Sequence, residues 1–295
     1  MLLNGYQVPV SCVTDQGYLA MNNKHPRDKM IAFDQEPHVY YVCGQTGFTS
    51  VTTFIHHHFP AFNGDLIAAY MANSRNFPHA DKFQDYKHLD KTATTIVQDI
   101  QNVWKEKAEL GTKMHAFIEK YFNDWSAIRD MDEKYDPAMP IGAEYQYFQR
   151  YQKLVEQAGL IPFRTEWMIF DTDYGITGSI DMIFVHQETG KYHMRDWKRS
   201  KAINETAKNK GFGPCAQLDD CNLMHYSLQL NLYKFILEKN YGIAIESMAL
   251  VIFHPNFSNF LVYEVQAQNF QDIVKSMLTE HALELLQSLS TLRPE

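Results

Sequence analysis

"SIDMIFVHQETGKYHMRDWKRSK", Ser179 to Lys201, reads as two strands joined by a turn. Ile180, Met182 and Phe184 alternate in the first run, and Tyr192, Met194 and Trp197 supply the apolar residues of the second. A sheet buries such residues, yet the same stretch holds Asp181, Asp196 and Lys198. With the turn at Gln187, Glu188, Thr189 and Gly190, His186 faces Lys191. Counting back along both strands sets Asp181 opposite Asp196, and a slip of one residue would break that pairing. Two carboxylates facing each other at about 5 Å repel by roughly 3 kcal/mol at an effective dielectric near 20. A bound divalent cation reverses the sign, because both carboxylates become ligands. Lys198 lies two residues past Asp196 and so leaves the same face of the strand. An ammonium there can orient a water or offset charge developing on a phosphate. The spacing alone has two readings: a metal site suited to phosphodiester hydrolysis, or a salt-bridged exposed strand face.

Working outward, Phe163 to Asp171 is expected as a strand before this pair, and Ser247 to His254 and Phe260 to Val265 as strands after it. Helices are expected from Ala143 to Gly159, from His225 to Gly242 and from about Asn269 to Leu289. The pattern from about Asp65 to Tyr121 is helical, with Gly111 interrupting it and Thr112 as the cap of a second helix. On that second helix His115 and Glu119 are one turn apart and share a face. The first sixty residues read as short strands and turns, including a hairpin around Pro37, with Ser50 to Thr52 opening a helix. This order gives an α/β fold, a mixed sheet flanked by helices. A β-rich N-terminal extension, 1–60, is expected to pack on a main domain, 61–295. The adjacent histidines His56 to His58 point in different directions, which suits incidental placement better than a metal site.

The chain has 295 residues, 45% of them hydrophobic, enough to bury a large core. No apolar run approaches the roughly 18 residues of a membrane span. The first residues lack both a basic segment followed by an apolar one and the Arg-rich character of a transit peptide, so a soluble intracellular protein is the expectation. Four scattered cysteines do not read as a disulfide framework. The net charge of −8 argues against a non-specific nucleic-acid coat protein, but not against an enzyme with a local basic groove. Such a groove is suggested by Lys191, Arg195, Lys198, Arg199, Lys201, Lys208 and Lys210, although a charge run is more often a solvated face.

Taken in chain order, "GTKMH" with His115, "GSID" with Asp181, "DWK" with Asp196 and Lys198, and "QLNLY" with Gln229 and Tyr233 resemble the motifs of the PD-(D/E)XK nuclease superfamily, in its RecB-like exonuclease branch. Each motif is short, and it is the four in order that carry the likeness, over about Glu109 to Val265. The eponymous Pro is absent, since Ile180 precedes Asp181. "SVT" at Ser50 to Thr52 is also similar to the N-terminal portion of mitochondrial genome maintenance exonuclease and its viral and phage relatives. The resemblance implies a restriction-endonuclease-like core and a DNA exonuclease dependent on Mg²⁺ or Mn²⁺ that leaves 5′-phosphates. Its expected substrates are single strands or DNA ends in replication, recombination or repair. His115, Asp181 and Asp196 are then metal ligands, with the backbone carbonyl of Trp197 as a fourth. Lys198 positions or activates the attacking water, and Glu166 acts on a second metal through water or caps a neighbouring element. Gln229 and Tyr233 contact the DNA strand, and Arg199, Lys201, Lys208 and Lys210 hold its phosphates. Trp197, Phe212 and Tyr226 are candidates for base stacking, with core packing as their alternative. A helicase or single-strand annealing protein is the kind of partner implied, and a viral or phage origin fits. A structure-specific endonuclease on the same core and a non-catalytic nucleic-acid-binding module are the competing readings.

Overall fold

The computed structural model describes residues 2–3, 5–15, 17–123, 141–266 and 270–291. Its centre is a six-stranded mixed sheet with the path β11–β10–β9–β8–β6, and β7 lies against β8 off that path. β7 (Leu160–Asp171) and β8 (Ile176–His186) pair antiparallel along almost their whole length. β9 (Tyr192–Lys198) pairs antiparallel with β8, from Met182↔Arg195 to Val185↔Tyr192, which is the register that the turn at 187–190 predicts. β10 (Ile245–Ile252) runs parallel to β9, and β11 (Leu261–Val265) antiparallel to β10. β6 (Thr49–Ser50) is two residues long and pairs parallel with β8 at Ile176 and Thr177. A strand has two edges. Since β7 takes one, β6 and β9 share the other, at opposite ends. Residues 178–181 lie between them with no strand partner on that edge among the described residues. This gap positions the site.

Helices cover both faces of the sheet. On one face lie α2 (Val51–His56), α6 (Asn222–Asn240) and α7 (Gln271–Thr291), packed on Ile169, Ile180, Ile183, Met194 and Leu250. Ser50 caps α2 by accepting from the Thr53 N–H, as Ser at an N-cap should. α6 is buried on nearly every side between the sheet and α7, which explains its lack of a polar stripe. On the other face α4 (Ile96–Asn123) and α5 (Gly142–Gln157) pack Met114, Ile118, Phe122, Phe148 and Tyr151 against Met182, Phe184, Trp197 and Phe253.

Two expectations are corrected. α4 runs unbroken through Gly111, and the Thr112 hydroxyl donates back to the Ala108 carbonyl rather than capping a new helix. A single glycine costs a helix only about 1 kcal/mol, less than the packing on either side of it returns. The helical stretch from Asp65 is itself interrupted: α3 (Gly64–Asn73) ends before Pro78, and a 3-10 turn spans Asp81–Tyr86.

The N-terminal segment forms α1 (Tyr18–Asn22) and a three-stranded antiparallel sheet of β3 (Cys12–Val13), β4 (Ile31–Asp34) and β5 (Val39–Val42), besides the short pair β1 (Leu2–Leu3) and β2 (Tyr6–Gln7). It is tied to β7 by Arg164, whose guanidinium is fully buried against Asp15 and Asp28. The tie continues with Trp167 Nε1 donating to Asp28 and Arg27 donating to the Phe170 carbonyl. Residues 49–55, within the stretch expected as an extension, already contribute to the central sheet and its core.

Candidate active site

The helical spacing of Met114, Ile118 and Phe122 turns one side of α4 into the core, and His115 follows one step round the helix at the edge of that face. Its Nδ1 stands 3.5 Å from Glu166 Oε1 and 3.7 Å from Asp181 Oδ2. Both distances are too long for a hydrogen bond. Among the described residues these three form a group whose ligand-capable atoms all lie within 4.8 Å of one another.

Each carboxylate is placed by a local irregularity. Asp181 sits one residue beyond the last paired residues of β8 and β9. Its Oδ2 accepts from the Trp197 N–H at 2.7 Å, so a side chain replaces the ladder bond and the strands part there. Glu166 lies inside β7 with φ of 45°, a left-handed conformation, between the paired residues Thr165 and Trp167. Such a residue costs on the order of 1–3 kcal/mol and is held only by surrounding structure. Ser179 Oγ donates to its Oε2 at 3.2 Å.

Asp196 stands beside this group rather than in it. Its Oδ2 is 2.6 Å from Lys198 Nζ, and its Oδ1 is buried with no hydrogen-bond partner among the described residues. Lys198 Nζ also lies 3.4 Å from Gln229 Oε1 and 4.6 Å from the centre of the Tyr226 ring. Gln229 Nε2 donates to the Tyr233 hydroxyl at 3.0 Å. The chain Lys198–Gln229–Tyr233 thus joins the end of β9 to α6. It rests on Gly178, where an added Cβ would lie 2.4 Å from the Tyr233 ring. A glycine inside a strand often marks such a close approach. Gly178→Ala is therefore expected to push Tyr233 and Gln229 away from Lys198 and to lower kcat on the order of a hundred-fold. The accompanying stability loss should be only about 1–3 kcal/mol by thermal melting. An unchanged kcat would show that the chain does not hold Lys198.

Burial pushes Asp196 up to about 6 despite the neighbouring Lys198, and raises Asp181 against the pull of His115. Burial disfavours the Lys198 cation, but Asp196 and Asp181 more than reverse this and raise it. His115 is likewise opposed by burial, yet Asp181 and Glu166 push it up to about 9. One turn on, the Glu119 residue is exposed but its carboxyl lines a cleft, where poor hydration first and then the Glu166 and Asp15 carboxylates push it up to about 7. The cluster binds protons tightly because its negative groups are close together and poorly hydrated. A divalent cation suits the same need. The group of His115, Glu166 and Asp181 fits such an ion by position and chemistry, and the orphaned Asp196 oxygen beside it by chemistry.

Of the basic residues after Lys198, three are held in ion pairs. Arg199 is paired with Glu144 at 2.7 Å, both side chains buried, and braces β9 against α5. Lys201 is 3.3 Å from Asp85, and Lys210 pairs with Asp219. Lys208 is exposed. The Trp197 ring is buried in the core among Phe148, Tyr151 and Phe253, which removes it as a stacking platform, whereas Phe212 is exposed. Gln229 and Tyr233 are buried.

The family model of the PD-(D/E)XK nuclease superfamily matches residues 86–292, and the chain belongs to that superfamily. Its fold is accordingly restriction-endonuclease-like: a mixed sheet flanked by helices, with small antiparallel strands at the N-terminal side. No curated protein matches the chain. Among solved structures it is similar to SSO0001, at 18% identity and a TM-score of 0.26, over 60% of this chain and 72% of that one. It is also similar to a candidate exonuclease from Eubacterium rectale, at 10% identity and a TM-score of 0.38, over 63% of this chain and 69% of that one. Likenesses of this order identify no substrate. Among the described residues, no helix is long and apolar enough to cross a membrane.

Proposed function

We propose that this chain is a Mg²⁺- or Mn²⁺-dependent DNA exonuclease that hydrolyses phosphodiester bonds to leave 5′-phosphates, acting on single strands or duplex ends in replication, recombination or repair. The observation that carries this reading is the meeting of His115, Glu166, Asp181, Asp196 and Lys198 at the gap in the β8 edge. His115, Glu166, Asp181 and Asp196 are the side chains that would hold the ion. The Trp197 carbonyl joins them, because its N–H points at Asp181 and an extended residue sends N–H and C=O to the same edge. When bound, a divalent ion at such a site polarises the scissile phosphate and lowers the pKa of water.

The protein's own groups do the rest. Lys198 stays cationic, and its Nζ, fixed between Asp196 and Gln229, aligns the attacking water and offsets charge developing on the phosphate. Gln229 and Tyr233, both buried, act on the strand by holding that ammonium in place. Lys201, Lys208 and Lys210 form the outer phosphate contacts, and Arg199 supports them from its buried pair with Glu144.

The test is cleavage of end-labelled single-stranded and duplex DNA with Mg²⁺, Mn²⁺ or EDTA, with Lys198→Ala alongside. Asp196, already raised to about 6, can take a proton when the ammonium is removed, so the variant should fold. Cleavage that needs metal and a free end, and falls at least a hundred-fold in the variant, supports the reading. Cleavage of circular or end-blocked DNA would indicate an endonuclease, and no cleavage with any substrate a binding module. Equal cleavage by both proteins would refute the role of Lys198.

A further inference from the structure

A cleft of about 650 Å³ leads from His115 and Glu166 to the hairpin β4–β5 of the N-terminal segment. That volume lies within the range of pockets for ligands of nucleotide size. Phe33 and Tyr40 line one wall as cross-strand partners with ring centroids 4.5 Å apart. His38 stands edge-on to Phe33 at 4.9 Å. The facing wall is α4, with Glu119.

The charge of this cleft decides what fits. Asp15, Glu119 and Glu166 line it, and no lysine or arginine does among the described residues. Three acids against the His115 cation make the cleft a poor site for a phosphate. A flat ring bearing N–H donors suits it better. Asp15 is committed to Arg164 and Glu166 to the metal group, whereas the exposed Glu119 carboxylate makes no hydrogen bond or ion pair among the described residues. A carboxylate can accept from the exocyclic amino group of cytosine, while thymine offers an oxygen there.

We propose that this cleft is a base pocket: the nucleobase beside the scissile phosphate leaves its stack, lies against Phe33 and Tyr40, and turns its amino group to Glu119. This rests on the nuclease reading above and extends it, because only an unstacked base can enter. The pocket therefore favours single strands or frayed ends, and cytosine over thymine. The N-terminal hairpin becomes a wall of the active site: its aromatic pair holds the base, and Glu119 sets the preference among bases.

The experiment uses the full chain with oligonucleotides carrying 2-aminopurine at successive positions from one end, with Ca²⁺ as the ion. In parallel, Mg²⁺-dependent cleavage is measured on strands with cytosine, thymine or an abasic nucleotide at the position that responds. The wild type should change the fluorescence at one position, and Phe33→Leu should lose that change. Phe33→Leu should also raise KM about ten-fold on base-bearing strands and leave KM on the abasic strand unaltered. Should Phe33→Leu misfold, Glu119→Gln, at an exposed position, reads the same pocket by losing the preference for cytosine. Equal KM values for both proteins on base-bearing strands, or an equal rise on the abasic strand, would overturn the pocket and leave the nuclease reading intact. If the wild type cleaves nothing, the nuclease reading fails, and the fluorescence alone decides. A single-position signal lost in Phe33→Leu then supports the pocket, and any other pattern overturns it.

Discussion

Asp181→Asn is expected to fold normally and to lose metal-dependent cleavage by a thousand-fold or more, on the order of the largest losses from removing one electrostatic group. The substitution is nearly isosteric. The asparagine carbonyl can still accept the Trp197 N–H, so the parting of β8 and β9 should survive. What disappears is the charge that His115 Nδ1 and any bound cation face. A second readout separates lost binding from lost chemistry. Metal at a hundred times its Kd should stabilise the wild type by about 2.7 kcal/mol, and that gain should vanish in the variant. A variant that keeps both the thermal shift and cleavage within ten-fold would place the metal elsewhere.

What could be read from the sequence divides along physical lines. The β8–β9 hairpin was legible because two apolar runs flank a turn marked by Gly190, so the register followed by counting. Asp181, Asp196 and Lys198 were legible as chemistry that a dry sheet does not otherwise keep, and His115, on a helix, through the resemblance of its motif. The structure brings all four to one place. Glu166 had no local signal for its rank: its left-handed backbone inside β7 depends on tertiary support. It, rather than Asp196, completes the tightest group with His115 and Asp181. β6 is two residues long and parallel, too short for any periodicity. Gly178 carried a signal, a glycine within a strand, but its meaning required Tyr233 from a helix some fifty residues away. Arg199 looked like a phosphate contact because nothing in the local run reveals Glu144 on α5. Gly111 and Thr112 looked like a helix boundary, and packing by Met114, Ile118 and Phe122 overrode it.

Arg164→Met is expected to destabilise the protein by about 3–5 kcal/mol, the usual cost of stripping one partner from a buried ion pair. Arg164 has no exposed surface. Its Nη1 donates to Asp28 Oδ2 at 2.9 Å and to the Asn23 carbonyl at 3.0 Å, and its Nη2 donates to Asp15 Oδ2 at 2.6 Å. The guanidinium also lies 4.4 Å from the centre of the Trp167 ring. Methionine fills part of the volume but leaves two half-buried carboxylates without their cation, and burial already raises Asp15. The cheapest escape is local: the N-terminal segment lifts from β7 so that Asp15 and Asp28 regain water. Urea unfolding should thus be accompanied by new protease sensitivity before Ser50, while the sheet and α6 stay protected. Adding Asp15→Asn and Asp28→Asn should recover part of the loss by removing the stranded charges. A loss below about 1 kcal/mol, within the range of an exposed pair, would mean that other contacts fix the segment. The base pocket depends on the same attachment, because Phe33 and Tyr40 reach the cleft only while the segment is docked. Arg164→Met should therefore raise KM on base-bearing strands in the manner of Phe33→Leu, although Arg164 itself lies outside the cleft lining.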